Sequence, residues 1–254
     1  MRITEKACDP SIKLAKCKFN CDENDKTIPN PLPQNLNHCL LVCGKPGSSK
    51  TTLLLNLIAK RNKCYNRKYS RIYLFSPSLA TIDDCPFSDL PDDQVFDELS
   101  VDILDLVLED IRDCGEKVLF IMDDVVNDMK KEARLEKLLC KVLMNRRHQC
   151  GSGGSLSVLI TIQVYNKVPA PVRKCASQLV LYETKSRMEA DSLYNEVIVG
   201  TTKQEWYRLC SYVWDKRFQF MFIDTTKPFS KMYHKCFNPL EITTKQDEEM
   251  LSLK

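Results

Sequence analysis

Residues 44–51 read Gly-Lys-Pro-Gly-Ser-Ser-Lys-Thr and follow the apolar run Leu40-Leu41-Val42-Cys43. Gly, four residues, then Gly-Lys-Ser/Thr is the spacing of a loop that wraps a triphosphate in inward-facing backbone N–H groups. Ser49 stands where the second glycine belongs; it keeps the N–H but restricts the backbone. Gly44 and Gly47 supply conformational freedom. Lys50 is placed to reach the β- and γ-phosphates and Thr51 to ligate magnesium, with Lys45, Pro46, Ser48 and Thr52 completing the cradle. A helix over about Lys50 to Lys60 points its positive end at the anion, and Leu53, Leu54, Leu57 and Ile58 share its buried face. The plainer alternative is an ordinary Gly/Ser turn. The succession of strand, loop, Lys-Thr and amphipathic helix favours nucleotide, with ATP the expected ligand.

A second element reads Lys117-Val-Leu-Phe-Ile-Met-Asp-Asp124. Its apolar residues suit a strand buried on both faces, and the carboxylates fall at its C-terminal end, where open α/β sheets bind ligands. Asp123 would hold the magnesium shell, and Asp124 would orient or deprotonate an attacking water. A later run, Leu159-Ile-Thr-Ile-Gln163, ends in a neutral amide able to bond both water and phosphate. The strand order matches the NTPase class with a strand inserted between the two nucleotide motifs. Gln163 then becomes a sensor of the γ-phosphate.

The elements that must position these groups are expected to be strands at 39–43, 71–75, 117–122, 156–162, 178–183 and 218–223. Helices are expected at 100–114, capped by Ser100 and ended by Gly115, and at 128–147. Alternation of apolar runs with helical patterns predicts an α/β fold: a P-loop NTPase three-layer sandwich with a mostly parallel central sheet, RecA/ASCE-like. Residues 1–36 read as a polar N-terminal arm that crosses the domain or reaches a neighbour. Residues 37–237 form the ATPase domain, and 238–254 a polar C-terminal tail. Gly151 to Ser155 reads as a flexible link that would let the preceding helix shift.

A chain of 254 residues can bury a sizeable core. The net charge of +3 imposes no global field, so contact with nucleic acid must come from local patches. Candidates are Lys60, Arg61, Lys63, Arg67, Lys68 and Arg71 with Tyr65 and Tyr69, and the helix residues Lys130, Lys131, Arg134, Lys137 and Lys141; a solvated face is the plainer reading of both. No apolar run is long enough for a membrane helix, and the first residues lack the apolar core of a secretory signal. Thirteen cysteines spread through core elements read as reduced thiols. Cys8, Cys17 and Cys21 lack the paired spacing of a zinc site, and His38 and His234 read as ordinary residues.

Four segments in order carry a family likeness: Gly44 to Thr51, Leu119 to Asp124, Asn145-Arg-Arg-His148, and Ile160-Thr-Ile-Gln163 followed by Val168-Pro-Ala-Pro-Val-Arg173. Together they resemble the poxvirus-type genome-packaging ATPases of large DNA viruses and virophages, in the FtsK–HerA superfamily. The resemblance covers about residues 36–225. It implies that Lys50, Asp124 and Gln163 are catalytic, that Thr51 and Asp123 hold Mg²⁺, and that Arg147 or Arg146 reaches a neighbouring subunit's nucleotide. Asp124 stands where many relatives have glutamate, which shortens the reach to water. Arg173 fits the pattern with a packing or intersubunit role. The implied function is a Mg²⁺-dependent ATPase motor that packages double-stranded DNA without reading sequence, as a homo-oligomeric ring docked on capsid or portal protein. It would act in the infected-cell cytoplasm or viral factory, with virion association open. The alternatives are a related translocase or helicase of plasmid or chromosome handling and a hydrolysis-deficient nucleotide switch. A small-molecule kinase is disfavoured because no arginine-rich lid is evident.

Overall fold

The structure, a computed structural model, describes residues 23–59, 64–78, 87, 89–125, 132–198 and 201–242. The strands are β1 (Cys39–Cys43), β2 (Arg71–Phe75), β3 (Val95–Phe96), β4 (Lys117–Asp123), β5 (Ser155–Ile162), β6 (Gln178–Tyr182), β7 (Phe220–Asp224), β8 (Tyr233–Lys235) and β9 (Asn238–Pro239). The helices are α1 (Lys50–Ile58), α2 (Val101–Ile111), α3 (Ala133–Met144), α4 (Ala170–Lys174), α5 (Arg187–Val197) and α6 (Lys203–Val213). All form one sheet in the order β3-β2-β4-β5-β1-β6-β7-β8-β9. Pairing is parallel from β3 to β6 and antiparallel from β6 to β9. The predicted α/β architecture is therefore present, and each predicted strand lies within two residues of its expected ends.

Strand alternation sorts the core onto two faces. Leu41, Phe120, Ile160 and Leu181 face the layer that contains α2, α3, α5 and α6. Leu40, Val42, Leu119, Ile121, Leu159 and Val180 face α1. That second layer also takes Ile28, Leu32 and Leu36 from the N-terminal arm, so the segment runs across the sheet with its apolar residues buried. Asp25 of the arm is fastened to Lys68 at 2.8 Å, and its carboxyl is held down to about 2 by that ammonium.

Ser100 caps α2 through the N–H of Ile103, as its position predicts. The α5–α6 hairpin and strands β3, β8 and β9 were not anticipated. The signal for the hairpin was present: Ser186-x-x-Glu189 and Thr202-x-x-Glu205 are both capping-box spacings. Residues 128–131 of the predicted third helix, Lys60, Arg61 and Lys63 of the first basic patch, and Cys8, Cys17 and Cys21 lie outside the described residues.

The expected flexible link is instead a closed turn. Gly151 and Gly153 have φ of 72° and 82°, in the left-handed region that glycine enters without strain. A Cβ on Gly154 would lie 2.5 Å from the Cys150 carbonyl oxygen, whose own partner is the Gly115 N–H at 2.7 Å. Positive φ at Gly151 and Gly153 and close packing at Gly151 and Gly154, rather than slackness, account for the glycines. Gly154→Ala should therefore cost about 1–3 kcal/mol by overpacking, read as a fall in thermal midpoint. Ser152→Ala, at an exposed position of the same turn, should leave the midpoint unchanged; equal midpoints for both variants would restore the flexible reading.

Candidate functional site

The site forms where β1, β4 and β5 end. β5 lies between β1 and β4, with Thr161 in register with Val42 on one side and Asp123 on the other. Asp123 continues the row of Leu119 and Ile121, and Thr161 the row of Leu159, so both point to the α1 face. Thr161 Oγ1 donates to Asp123 Oδ1, and Ser76 Oγ at the end of β2 donates to Asp123 Oδ2 at 3.3 Å. The Asp123 side chain is 3% exposed. Burial raises its pKa and the neighbouring Asp124 adds to the rise, while the Thr161 and Ser76 hydroxyls and Lys50 oppose it.

Asp124 leaves the strand with φ 55°, a conformation aspartate tolerates better than most residues. Its N–H donates to Thr161 Oγ1 at 3.3 Å, and Gln163 Nε2 donates to its carboxylate at 3.2 Å. Lys50 opens α1 with its ammonium buried, donating to the carbonyls of Gly44 at 2.7 Å and Lys45 at 3.3 Å. Thr51 follows, half-buried. The structure thus gathers Lys50, Asp123, Asp124 and Gln163 around the C-terminal ends of the central strands.

The phosphate loop departs from expectation in one respect. Gly47 takes φ 75° and so does Ser49, the residue in the glycine place. Gly44 serves close approach instead: a Cβ there would lie 2.8 Å from the Cβ of Tyr182. Tyr182, from β6, supports the loop by donating its hydroxyl to the Ser49 carbonyl at 3.2 Å.

The arginines lie elsewhere. Arg146 donates to the carbonyls of Asn37 and Leu143, and its own carbonyl accepts from Leu156 near the start of β5. Arg147 is exposed beside it. Both lie at the opposite end of β1 from the phosphate loop, on the order of 20 Å away by strand rise. Arg173 is turned inward, paired with Glu196 at 2.5 Å and donating to the Val168 carbonyl. Of the basic patches, Lys68 is paired with Asp25 and Arg71 with Asp110 and Glu116, while Tyr65 is core. Arg134 approaches Asp105 at 3.7 Å. Among the described residues, no group of three His, Cys, Asp or Glu could hold a metal, and no helix is long and apolar enough to cross a membrane.

No protein-family model and no curated protein matches the sequence. Solved structures match in fold. The genome packaging NTPase of Sulfolobus turreted icosahedral virus 2, in complex with sulfate, aligns with a TM-score of 0.55 at 15% identity, over 82% of this chain and 100% of that one. The DNA-packaging ATPase of Sulfolobus turreted icosahedral virus gives 0.55 at 14% identity, over 81% and 98%. This chain has a P-loop ATPase fold. The fold extends to EssC (ATPases 2 and 3) of Geobacillus thermodenitrificans, with a TM-score of 0.51 at 15% identity, over 87% of this chain and 43% of that one.

Thr161, Ser76 and Tyr182 were not singled out as site residues. Thr161 and Ser76 carried the signal of a hydroxyl at the close of an apolar run, and only register shows which partner it meets.

A P-loop ATPase fold with serine at φ 75° bears strain that glycine would not. Relief of about 1–2 kcal/mol, less about 0.5–1 kcal/mol for the freer unfolded chain, leaves a net gain. Ser49→Gly should raise the thermal midpoint by about 2 °C and leave nucleotide binding intact; a lower midpoint would show that the serine is not strained. Asp123 gives a second expectation. A carboxyl whose folded pKa is raised destabilises the fold as pH rises through its ordinary and then its raised value. Asp123→Asn should therefore raise the midpoint of the nucleotide-free protein at pH 7, and the gain should shrink as pH falls through the raised value and be gone below the ordinary aspartate range. A pH-independent effect would locate the cause outside this titration.

Proposed function

We propose that the chain is a Mg²⁺-dependent ATPase motor that drives double-stranded DNA into a viral capsid. The observation that carries the reading is the Thr161 hydroxyl, shared between the Asp123 carboxylate and the Asp124 N–H, with Gln163 on the Asp124 carboxylate. That arrangement separates a buried carboxylate suited to a cation from a more accessible one suited to a water. The likeness in fold to viral packaging NTPases over nearly their whole length supports the choice of task.

The donors fit magnesium. Thr51 and Asp123 offer oxygen only, and magnesium takes one or two protein oxygens and completes its shell with phosphate and water. Asp123, buried and raised in pKa, lacks the compensating charge a dication brings. Mg²⁺ held there would neutralise charge on the β- and γ-phosphate oxygens. In this reading Lys50 turns from the loop carbonyls to the γ-phosphate, and backbone N–H groups of residues 47–51 bind the remaining oxygens. Asp124 accepts the proton of the attacking water, which Gln163 orients. Arg147 lies too far from its own chain's loop to act there, which suits a finger offered to a neighbour in a ring. Arg146, spent on backbone carbonyls, suits that role less. DNA, capsid or portal protein, and the infected-cell setting belong to the same proposal.

The left-handed Ser49 and the short Asp124 favour, as a second reading, a nucleotide switch without turnover. A related translocase or helicase of other DNA, the alternative the sequence motifs leave open, is a third.

ATP hydrolysis by the purified protein separates these. Turnover should rise with double-stranded DNA and be lost in Lys50→Ala and Arg147→Ala. Mixing Arg147→Ala with Lys50→Ala subunits should restore part of it, and an arginine supplied in trans is worth about 10³- to 10⁵-fold where measured. ATP bound tightly but never cleaved would establish the switch.

A further inference from the structure

Helices α5 and α6 begin with the same four-residue signature and use it differently. In α6 the Glu205 carboxylate accepts the Thr202 N–H at 2.7 Å, and the Glu205 N–H returns to the Thr202 hydroxyl. That is a complete capping box. In α5 only one half forms: Ser186 Oγ accepts from the Glu189 N–H at 3.3 Å. The Ser186 N–H goes to Thr184 Oγ1 instead, and the Glu189 carboxylate turns into the protein, where it is 6% exposed. A helix start does not require this, since the half-buried Glu205 caps α6 well. Burying a carboxylate is costly unless donors surround it.

The donors around Glu189 come from three strand ends. They are the Tyr165 N–H after β5 at 2.5 Å, the Thr184 hydroxyl after β6, and the Cys43 thiol that closes β1 at 3.7 Å. Each lies beside a part of the site. Cys43 immediately precedes Gly44. Tyr165 is two residues beyond Gln163. Thr184 is two residues beyond Tyr182, whose hydroxyl holds the Ser49 carbonyl. One buried carboxylate thus ties together the end of the strand that leads into the phosphate loop, the loop that carries the amide and the segment after β6 whose Tyr182 supports the phosphate loop. The far side of the Gln163 loop is held separately, by Arg173 and Glu196 on the Tyr165 ring, hydroxyl and carbonyl.

We propose that Glu189 is a positioning residue for hydrolysis: it fixes the loop after β5 so that Gln163 meets Asp124 and the attacking water. This rests on the ATPase reading, and it assigns to α5 a part in the reaction through the loop it braces. The thiol is the weakest of its donors and Tyr182 holds the phosphate loop independently, so removal acts on the amide loop rather than on nucleotide affinity.

The test compares Glu189→Ala, Glu189→Gln and, as a helix-cap control, Glu205→Ala in the full chain. Glu189→Ala should lower kcat by about 10²-fold, the scale of a small misplacement, with the dissociation constant of an ATP analogue unchanged. Glu189→Gln keeps a carbonyl oxygen for the Tyr165 N–H and should recover most of the rate. Glu205→Ala should lower the thermal midpoint and leave kcat alone. In a Gln163→Ala background, Glu189→Ala should add no further loss, because the two act as a unit. Hydrogen exchange at the Tyr165 amide should quicken in Glu189→Ala. A loss that multiplies with that of Gln163→Ala, a weakened affinity at unchanged kcat, or unaltered exchange at Tyr165 would each overturn the assignment. Wild-type protein that never cleaves ATP would overturn the ATPase reading instead, and exchange at Tyr165 would then decide alone whether Glu189 holds the loop.

Discussion

The hydroxyl of Thr161 is the contact on which the site depends. It donates to one aspartate and accepts from the backbone of the next, so a single side chain sets both the buried carboxylate and the point where the chain leaves β4. This works only because β5 is inserted between β1 and β4 in parallel register, which places Thr161 opposite Asp123 and on the face of α1. A slip of one residue would send the hydroxyl to the opposite face and leave Asp123 with the weaker Ser76 contact. The rest of β4 and β5 is buried on both faces and mostly apolar, so a slip would exchange one apolar row for another and Thr161 opposite Asp123 is the pairing that distinguishes this register.

Stability and chemistry diverge at this end of the strands. Asp123 is buried with its charged form disfavoured, Ser49 and Asp124 hold backbone conformations that side chains resist, and the Lys50 ammonium is bound to carbonyls. Strain of this kind persists where surrounding structure over-determines it. Here the over-determination is visible as Tyr182 beneath the phosphate loop and the buried Glu189 behind it. The opposite end of the sheet shows the reverse economy: the glycine turn at 151–154 is packed tightly and the guanidinium of Arg146 ties α3 to the segment before β1.

Much of this was legible in the residues alone. Strands buried on both faces announce themselves as continuous apolar runs, so β1, β2, β4, β5, β6 and β7 could be drawn closely. Lys50, Asp123, Asp124 and Gln163 were legible because each sits at a fixed offset from a strand end. What escaped was whatever depends on a partner distant in sequence. Thr161 and Tyr182 look like ordinary strand residues until register is known. Glu189 reads as a helix cap, which it is by half. The glycines at 151–154 read as slack because composition cannot distinguish a turn that needs positive φ from one that is loose. The arm resisted for a similar reason: its prolines and charges hide the spacing of Ile28, Leu32 and Leu36, which bury against the α1 face.

The two edges of the sheet bear on how copies of this chain could meet. Among the described residues one edge strand, β3, is two residues long and the other, β9, is also two, with a proline in it. Short edges and proline leave few unpaired backbone groups for another strand to zip onto. Among the described residues the sheet therefore offers little template for extension by another strand. Contact made through these residues would fall to side chains of loops and helix flanks, a kind of joint that can open and reseat without unravelling the fold.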